Sequence, residues 1–240
     1  MHKELRKVQG GFWLMELIIA MTITLVVMGI ASTMLARAFN VRTRANDNSD
    51  ALADAQRALN IMSREIAQAG FNMSDNGIVA ADSVTDGNGN STIRIRANLN
   101  KFNTAASTAA RNGIGISGED AGEDLKYFIY PVPANNTSLL ARYDAYAPGG
   151  GSSTVLANRL DGLQIHYFSQ RVTYNVPYNN CDITGASQAE VGPSAAQYIV
   201  IAVCVQLEAV GKPGSPGYQP ANNVVLTSDV TLRNTNLPNY

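Results

Sequence analysis

The sequence is poor in the side chains on which most enzyme chemistry depends. It has two histidines, His2 and His166, and two cysteines, Cys181 and Cys204, in 240 residues. There is no Cys-x-x-Cys pair, so a zinc site is poorly supported. No P-loop or nucleophile elbow occurs either. These absences remove most metal and acid–base chemistry, and we expect no enzymatic activity, no cofactor, no catalytic residue and no resident metal.

Charge is also scarce, at 15% of the residues, and 18 Lys and Arg nearly balance 19 Asp and Glu. This balance gives no reason to expect nucleic acid or another polyanion as a partner. The length suits one good-sized domain with an appendage. The many Gly, Asn, Ser, Thr and Ala residues are typical of a loop-rich β domain outside the cytoplasm.

What the sequence does have is a long uncharged run near its N-terminus. Leu17 to Ala36 comprises 20 residues without a charge, which is enough to cross the hydrocarbon core of a bilayer as a helix. Basic residues dominate the short polar segment before it. This asymmetry predicts a cytoplasmic N-terminus and places everything after Arg37 on the other side of the membrane.

Three interpretations of this segment compete, and Glu16 separates them. The first is a secretory signal peptide. The small-x-small triplet 36–38 fits its cleavage site, but the apolar region here is too long for a signal peptide. An uncleaved anchor leaves the Glu16 carboxylate unpaired in lipid, at a cost of about 3 kcal/mol or more. Cleavage between Gly11 and Phe12 instead creates a new α-amino group one helical turn from Glu16.

The pattern Gly-Phe-x-x-x-Glu before a long apolar run resembles the class III signal of type IV prepilins and type II secretion pseudopilins. The resemblance implies that a membrane-bound prepilin peptidase cuts between Gly11 and Phe12 and methylates Phe12. The family's carboxylate falls on Glu16. Trp13 and Met15 depart from the commonest version of the signal, but both are apolar.

The expected role of Glu16 follows from its surroundings. A lone carboxylate in an apolar bundle needs a cation, and the only cation at that depth is the amine of Phe12. Within one helix the geometry for this pair is poor. We therefore hypothesise that a neighbouring, staggered subunit supplies the amine and that Glu16 sets the register between subunits.

After Phe39 the sequence turns polar, and a new apolar stripe follows at helical spacing. The stripe consists of Leu52, Ala55, Leu59, Met62 and Ile66. Glu65 lies off the stripe, and Gly70 stands where a left-handed residue ends a helix. We predict one long helix over residues 12–69. The alternative is a separate helix after a linker at residues 44–50, where poor helix formers cluster.

Residues 71–240 show the period-two alternation of half-buried strands. It predicts strands over residues 93–96, 125–129, 162–168, 199–207 and 224–232. Turn-rich stretches separate them over residues 85–91, 112–124, 147–153, 174–194 and 211–220. The expected fold class is α+β and type IV pilin-like, a long N-terminal helix packed on an antiparallel sheet.

Further details narrow the resemblance to minor pilins of the PilW group. Thr33 stands where many major pilins have a helix-breaking proline. Residues 57–71, 161–164 and 231–234 also look like PilW-type sequences. The implied organisation is a leader peptide (1–11), a transmembrane and assembly helix (12–39), its amphipathic continuation (40–70) and a β-rich globular domain (71–240).

The function implied is that of a structural subunit which primes assembly of a type IV pilus or caps its tip. Its expected partners are other minor pilins, the major pilin, the prepilin peptidase, the inner-membrane assembly platform and membrane lipid. The chain would lie in the inner membrane before assembly and in the pilus, periplasm or cell surface afterwards. A type II secretion pseudopilin, and a periplasmic binding module on an uncleaved anchor, remain alternatives.

The β-rich region contains two polar clusters that could attract a cation. Asp86, Asn88 and Asn90 alternate as in the start of a calcium loop, but Ser91 and Ala97 occupy positions that an EF-hand keeps for Gly and Glu. A β-turn is the expected structure there. An acidic cluster is expected to be a solvated loop, and it consists of Glu119, Asp120, Glu123 and Asp124.

The cysteines and the remaining histidine have simpler interpretations. Cys181 lies in a polar loop and Cys204 on a predicted strand, and an oxidising compartment would favour a disulfide between them. The alternative is two unrelated thiols. His166 has no second ligand at metal spacing, so we interpret it as a structural residue on the strand face opposite Ile165 and Tyr167.

Overall fold

The structure is a computed structural model that describes residues 14–73, 75–99, 121–132, 137–178, 180–215 and 218–234. It begins with one continuous helix, α1 (Leu14–Ile66). Residues 44–50 are helical, so the alternative with a linker there is wrong. Contacts of the polar side chains in this stretch offset their poor helix propensity: Asp47 lies 3.6 Å from Arg159, and Asn48 bonds to the backbone of Glu208. Ser49 also donates to the Ala45 carbonyl over 3.0 Å.

Six strands form a single antiparallel sheet in the described part of the chain. They are β1 (Ile93–Arg96), β2 (Asp124–Val132), β3 (Thr137–Asp144), β4 (Ser152–Phe168), β5 (Tyr198–Leu207) and β6 (Asn222–Thr231). Their spatial order follows the chain from β1 to β6. The expected α+β layout of a long apolar helix and an antiparallel sheet is therefore present.

Strand β4 is long because its two halves pair with different neighbours. Its first half pairs with β3, and from Leu160 onward it pairs with β5. The register shifts just after Leu160, next to Arg159, whose φ is +56°. Such an irregularity bends a strand. Beyond Leu160, β4 has a free edge on the side where β3 stops. The turn over residues 86–91, which precedes β1, covers this edge of β4, because Ser91 donates its N–H to the Leu163 carbonyl over 2.7 Å.

The main core lies between α1 and the sheet, with the helix packed chiefly on β4, β5 and β6. The helix contributes Ala51, Ala55, Ala58, Leu59, Met62 and Ile66. Leu52 is only half-buried but packs against this cluster. The predicted stripe is thus confirmed. The small residues at 51, 55 and 58 allow the helix backbone to approach the sheet closely.

Strand β5 is buried on both faces, because a second cluster covers the face that points away from α1. Ile199, Ile201 and Val203 belong to the helix-side core, whereas Val200 and Ala202 belong to the second cluster. The connection between β4 and β5, residues 169–178 and 180–197, supplies Val172 and Ile183 to that cluster. We call this connection the strap.

Most predicted strands are confirmed, but β3 and the first half of β4 were not expected. Thr137–Asp144 has no clean alternation, and in Ser152–Asn158 the two large apolar residues, Val155 and Leu156, are adjacent and do not alternate. The helix also ends at Ile66 and not at Ala69. A turn follows, and Gly70 adopts the predicted left-handed conformation with φ +73°. An added Cβ there would lie 2.7 Å from the Asp75 carbonyl oxygen, so the position requires glycine.

Candidate anchor and assembly site

The first part of α1 projects from the domain with all its apolar side chains exposed. It is the one helix in the described residues that is long and apolar enough to cross a membrane, by length and composition. Its hydroxyl groups bond to carbonyls one turn earlier, as Thr24 does to Ala20 (2.7 Å) and Ser32 to Met28 (2.8 Å). Because these hydroxyls are satisfied within the helix, they add little cost in lipid.

Glu16 lies in the first turn of α1 and is exposed. It is the single charged residue between Leu14 and Ala36. A carboxylate near a helix N-terminus interacts favourably with the helix dipole. The predicted cleavage site, Gly11 and Phe12, lies outside the described residues, so the expected pairing of Glu16 with a new amine stays a prediction.

Among the described residues, Arg44 and Asn48 make the hydrogen bonds between the helix and the globular domain that lie nearest the N-terminus. Arg44 Nη1 donates to the Ala209 carbonyl over 3.1 Å. The Asn48 side chain exchanges two hydrogen bonds with the backbone of Glu208, at 3.1 and 3.2 Å. Residues 14–43 therefore project as a segment of about 45 Å at 1.5 Å per residue. That length matches a bilayer including its headgroup regions.

A second polar contact joins the far end of the helix to the sheet. Glu65 accepts two hydrogen bonds from the Arg142 guanidinium, at 2.9 and 3.2 Å, and a third from the Tyr127 hydroxyl. The Glu65 and Arg142 side chains are only 17% and 20% exposed. Sequence inspection missed this site, because Glu65 lies off the apolar stripe and its partners come from β2 and β3.

The predicted disulfide between Cys181 and Cys204 is confirmed, with the two Cα atoms 5.1 Å apart. It ties the strap to the outer face of β5. Asp161 lies beside Cys181, with 3.5 Å between Oδ2 and Sγ. These three residues are the one cluster of potential metal ligands in the described part of the chain, and the disulfide occupies both of its sulfur atoms.

His166 lies on the outer face and also holds the strap. Its Nε2 is 2.6 Å from Asp182 Oδ1 and its Nδ1 is 2.8 Å from Glu190 Oε1. A neutral imidazole can donate through only one nitrogen, whereas the protonated ring donates to both carboxylates. The expected structural role fits these contacts.

The candidate calcium loop is a turn, as predicted. Asp86 Oδ1 accepts the backbone N–H groups of Asn88 and Asn90, each over 2.8 Å. Asp86 N–H in turn donates to the Asn90 carbonyl over 2.8 Å. The carboxylate thus organises its own loop, and Asn90 Oδ1 accepts from the Leu163 N–H of β4.

The prediction of a solvated acidic loop is wrong for Glu123 and Asp124, which are 1% and 2% exposed. Asp124 begins β2 and binds Arg94 of β1 through two hydrogen bonds of 2.7 and 2.8 Å. Pairing with arginine allows the carboxylate to be buried. Glu119 and Asp120 lie outside the described residues.

The same arginine extends this network to Asp82. Arg94 Nη1 lies 2.6 Å from Asp82 Oδ2, and its hydrogen bond lowers the pKa of the Asp82 carboxyl below the usual value. In return, the Asp124 and Asp82 carboxylates raise the pKa of Arg94. The network holds the short 3-10 helix Ala80–Asp82 on the outer face of β1 and β2.

Comparison of the chain with protein-family models, curated proteins and solved structures finds no match. The function must therefore be argued from the chain itself.

Proposed function

We propose that this chain is a minor pilin, a non-enzymatic subunit that primes assembly of a type IV pilus or caps its tip. The observation that carries the proposal is a single helix in which an apolar segment of membrane length continues, without a break, into the core of a sheet domain. One carboxylate, Glu16, lies in its first turn. Together with the Gly11-Phe12 signal, this is the arrangement expected of a prepilin.

The continuity of α1 has a mechanical consequence for such a subunit. A helix without a hinge transmits the position of its membrane end to the sheet domain. The polar contacts of Arg44 and Asn48, and the pairing of Glu65 with Arg142, attach the domain at two places along the helix. A pairing of Glu16 with the Phe12 amine of a neighbour would then set the axial offset between whole subunits.

The proposed partners are other minor pilins, the major pilin, the prepilin peptidase and the inner-membrane assembly platform. Before assembly the chain would be a single-pass protein of the inner membrane with a cytoplasmic N-terminus. The projecting apolar segment supports the membrane location. The disulfide supports an oxidising compartment for the sheet domain.

Mass spectrometry of the mature N-terminus in the native host is the decisive test. We expect the chain to begin at Phe12 and to be heavier by one methyl group than the bare sequence. An N-terminus at Met1 would refute the prepilin proposal and favour a binding module on an uncleaved anchor. Deletion of the gene should then abolish piliation; loss of protein secretion with normal pili would instead identify a pseudopilin.

Glu16→Ala tests the assembly role separately, with Leu17→Ala as the matched control. We expect both variants to insert and to be cleaved normally, since the peptidase signal and the apolar length remain. Only Glu16→Ala should be depleted from purified filaments. Equal incorporation of the two variants would show that Glu16 does not set subunit register.

A further inference from the structure

The hairpin that joins β5 to β6 extends beyond the ends of both strands. Val210 and Gln219 exchange two backbone hydrogen bonds of 2.9 Å each. The chain then turns at Lys212, whose N–H and carbonyl both bond to the Ser215 hydroxyl, at 3.2 and 2.7 Å. These hydrogen bonds fix the described part of the hairpin up to Ser215, and Lys212 is exposed.

This hairpin runs beside α1 towards the apolar segment. Glu208 contacts Asn48, and the next residue, Ala209, contacts Arg44, one helical turn closer to the N-terminus. Lys212 is three residues further on, or about 10 Å in an extended chain. On the helix that distance corresponds to six or seven residues. This is an upper limit, because the chain bends at Gly211, whose φ is +85°. Lys212 therefore lies between the levels of Arg44 and Arg37, close to the end of the uncharged run.

Basic side chains predominate on this part of the molecule, from Arg37 to Arg44 of the helix. Arg37, Arg42 and Arg44 are exposed on α1, and Lys212 adds a fourth positive charge from the hairpin. Asp47, the nearest acid on the helix, already has a partner in Arg159 at 3.6 Å. In the connection between β5 and β6, Glu208 is the one acidic residue. We call these four basic residues the basic collar.

We propose that the basic collar is a binding surface for the phosphate groups of anionic membrane lipids. The inference rests on the proposed membrane insertion of α1, and adds that the sheet domain itself contacts the bilayer. Phosphates lie at the boundary of the hydrocarbon core, which is where the uncharged run stops. Lys and Arg side chains suit this boundary, because their apolar stems can lie in the interface while the charge reaches the headgroups.

The contact would fix the orientation of the sheet domain relative to the membrane before the subunit is extracted into a filament. Two attachments, the helix and the hairpin tip, restrict rotation about the helix axis and tilt. The surface presented to neighbouring subunits is then the same in every copy. Removal of the collar's charge should leave the anchor in place but free the hairpin.

The test uses the full chain in vesicles of phosphatidylcholine, with or without phosphatidylglycerol, and with a spin label on the lipid headgroup. A fluorophore is attached at Pro213→Cys, and at Gln188→Cys on the strap as the control site. Thiol counting first verifies that Cys181 and Cys204 remain paired. We expect quenching at position 213 only, stronger with phosphatidylglycerol and weaker in high salt.

Lys212→Glu and Arg42→Glu should each lower the ratio of docked to undocked hairpin about fivefold or more. Arg57→Glu, a charge reversal on the exposed face of the same helix, should not. If the chain floats with the vesicles but positions 213 and 188 are quenched equally, the lipid contact is refuted and the anchor stands. If the chain does not float, the proposed insertion fails and the contact fails with it.

Hydrogen exchange on the unsubstituted chain gives a second measurement that needs no variant. Backbone amides of residues 208–215 should exchange more slowly in phosphatidylglycerol vesicles than in phosphatidylcholine vesicles, while those of the strap do not change. Equal exchange of residues 208–215 in both lipids would overturn the proposal.

Discussion

Removing the Glu65 carboxylate should weaken the attachment of the end of the helix to β2 and β3. In Glu65→Ala, Arg142 loses two hydrogen bonds and Tyr127 loses one. Hydrogen bonds to charged groups contribute about 1.5–3 kcal/mol, and those in one network are not additive. Asp144 Oδ2, 3.8 Å from Arg142 Nη1, compensates part of the freed charge. We expect a loss of about 2–3 kcal/mol in the free energy of unfolding.

The assay is urea unfolding of the full chain in detergent, followed by the near-ultraviolet circular dichroism of the tyrosines. A double-mutant cycle with Arg142→Met isolates the pairwise energy, which we expect to be about 1–2 kcal/mol. Arg64→Ala is the matched control, because Arg64 is an exposed neighbour on the same helix and should change stability by about 0.5 kcal/mol or less.

The outcome for Glu65→Gln is also informative. An amide keeps one acceptor for Tyr127 or Arg142 but no charge, so its loss should be about half that of alanine. If Glu65→Ala costs no more than Arg64→Ala, or if the coupling energy is zero within error, this contact does not stabilise the helix on the sheet.

Other predictions concern the disulfide and the titrating groups. The Cys181–Cys204 disulfide closes a loop with a sequence separation of 23. Its reduction should lower the free energy of unfolding by about 3 kcal/mol, measured by urea unfolding with and without reductant. No change would show that packing alone holds the strap on β5. Because the pKa of Asp82 is lowered in the folded state, its contribution is present above about pH 4 and is lost as pH falls through the lower folded value. Asp82→Asn should therefore be less stable than the wild type at pH 6, by a difference that shrinks as the pH falls below about 4, and a constant difference would refute the pairing. Burial, with Asp229 adding to it, raises the pKa of Tyr198 to about 12, so stability should fall between pH 10 and 12 as the unfolded phenol ionises first. Tyr198→Phe should remove a tyrosinate absorption step near pH 12, and an unchanged titration would contradict the assignment.

Local patterns were sufficient to predict the helix and most strands. The spacing of Ala55, Leu59, Met62 and Ile66 identifies the buried face of α1, since 3.6 residues per turn bring these positions together. The alternation in β5 identifies a strand in the same way. Gly70 was recognisable because only glycine adopts a positive φ without strain.

The strands that were missed lack such a signal. Residues 152–158 pair with β3 but are largely exposed, so no apolar alternation marks them. Their strand conformation depends on hydrogen bonds to β3, whose own sequence is irregular. The burial of Asp124 was missed for a related reason, because the arginines that neutralise it lie on another strand.

The sequence by itself determined the apolar segment, the single carboxylate at Glu16, the amphipathic helix and the presence of two pairable cysteines. All of these depend on residues close together in the chain or on composition. Only the tertiary structure decided which distant residues meet: Glu65 with Arg142, His166 with the strap, and the start of the β5–β6 hairpin with Arg44 and Asn48 of α1. Pairings of this kind depend on sheet register and on the bend of β4, and neither is encoded in a local period.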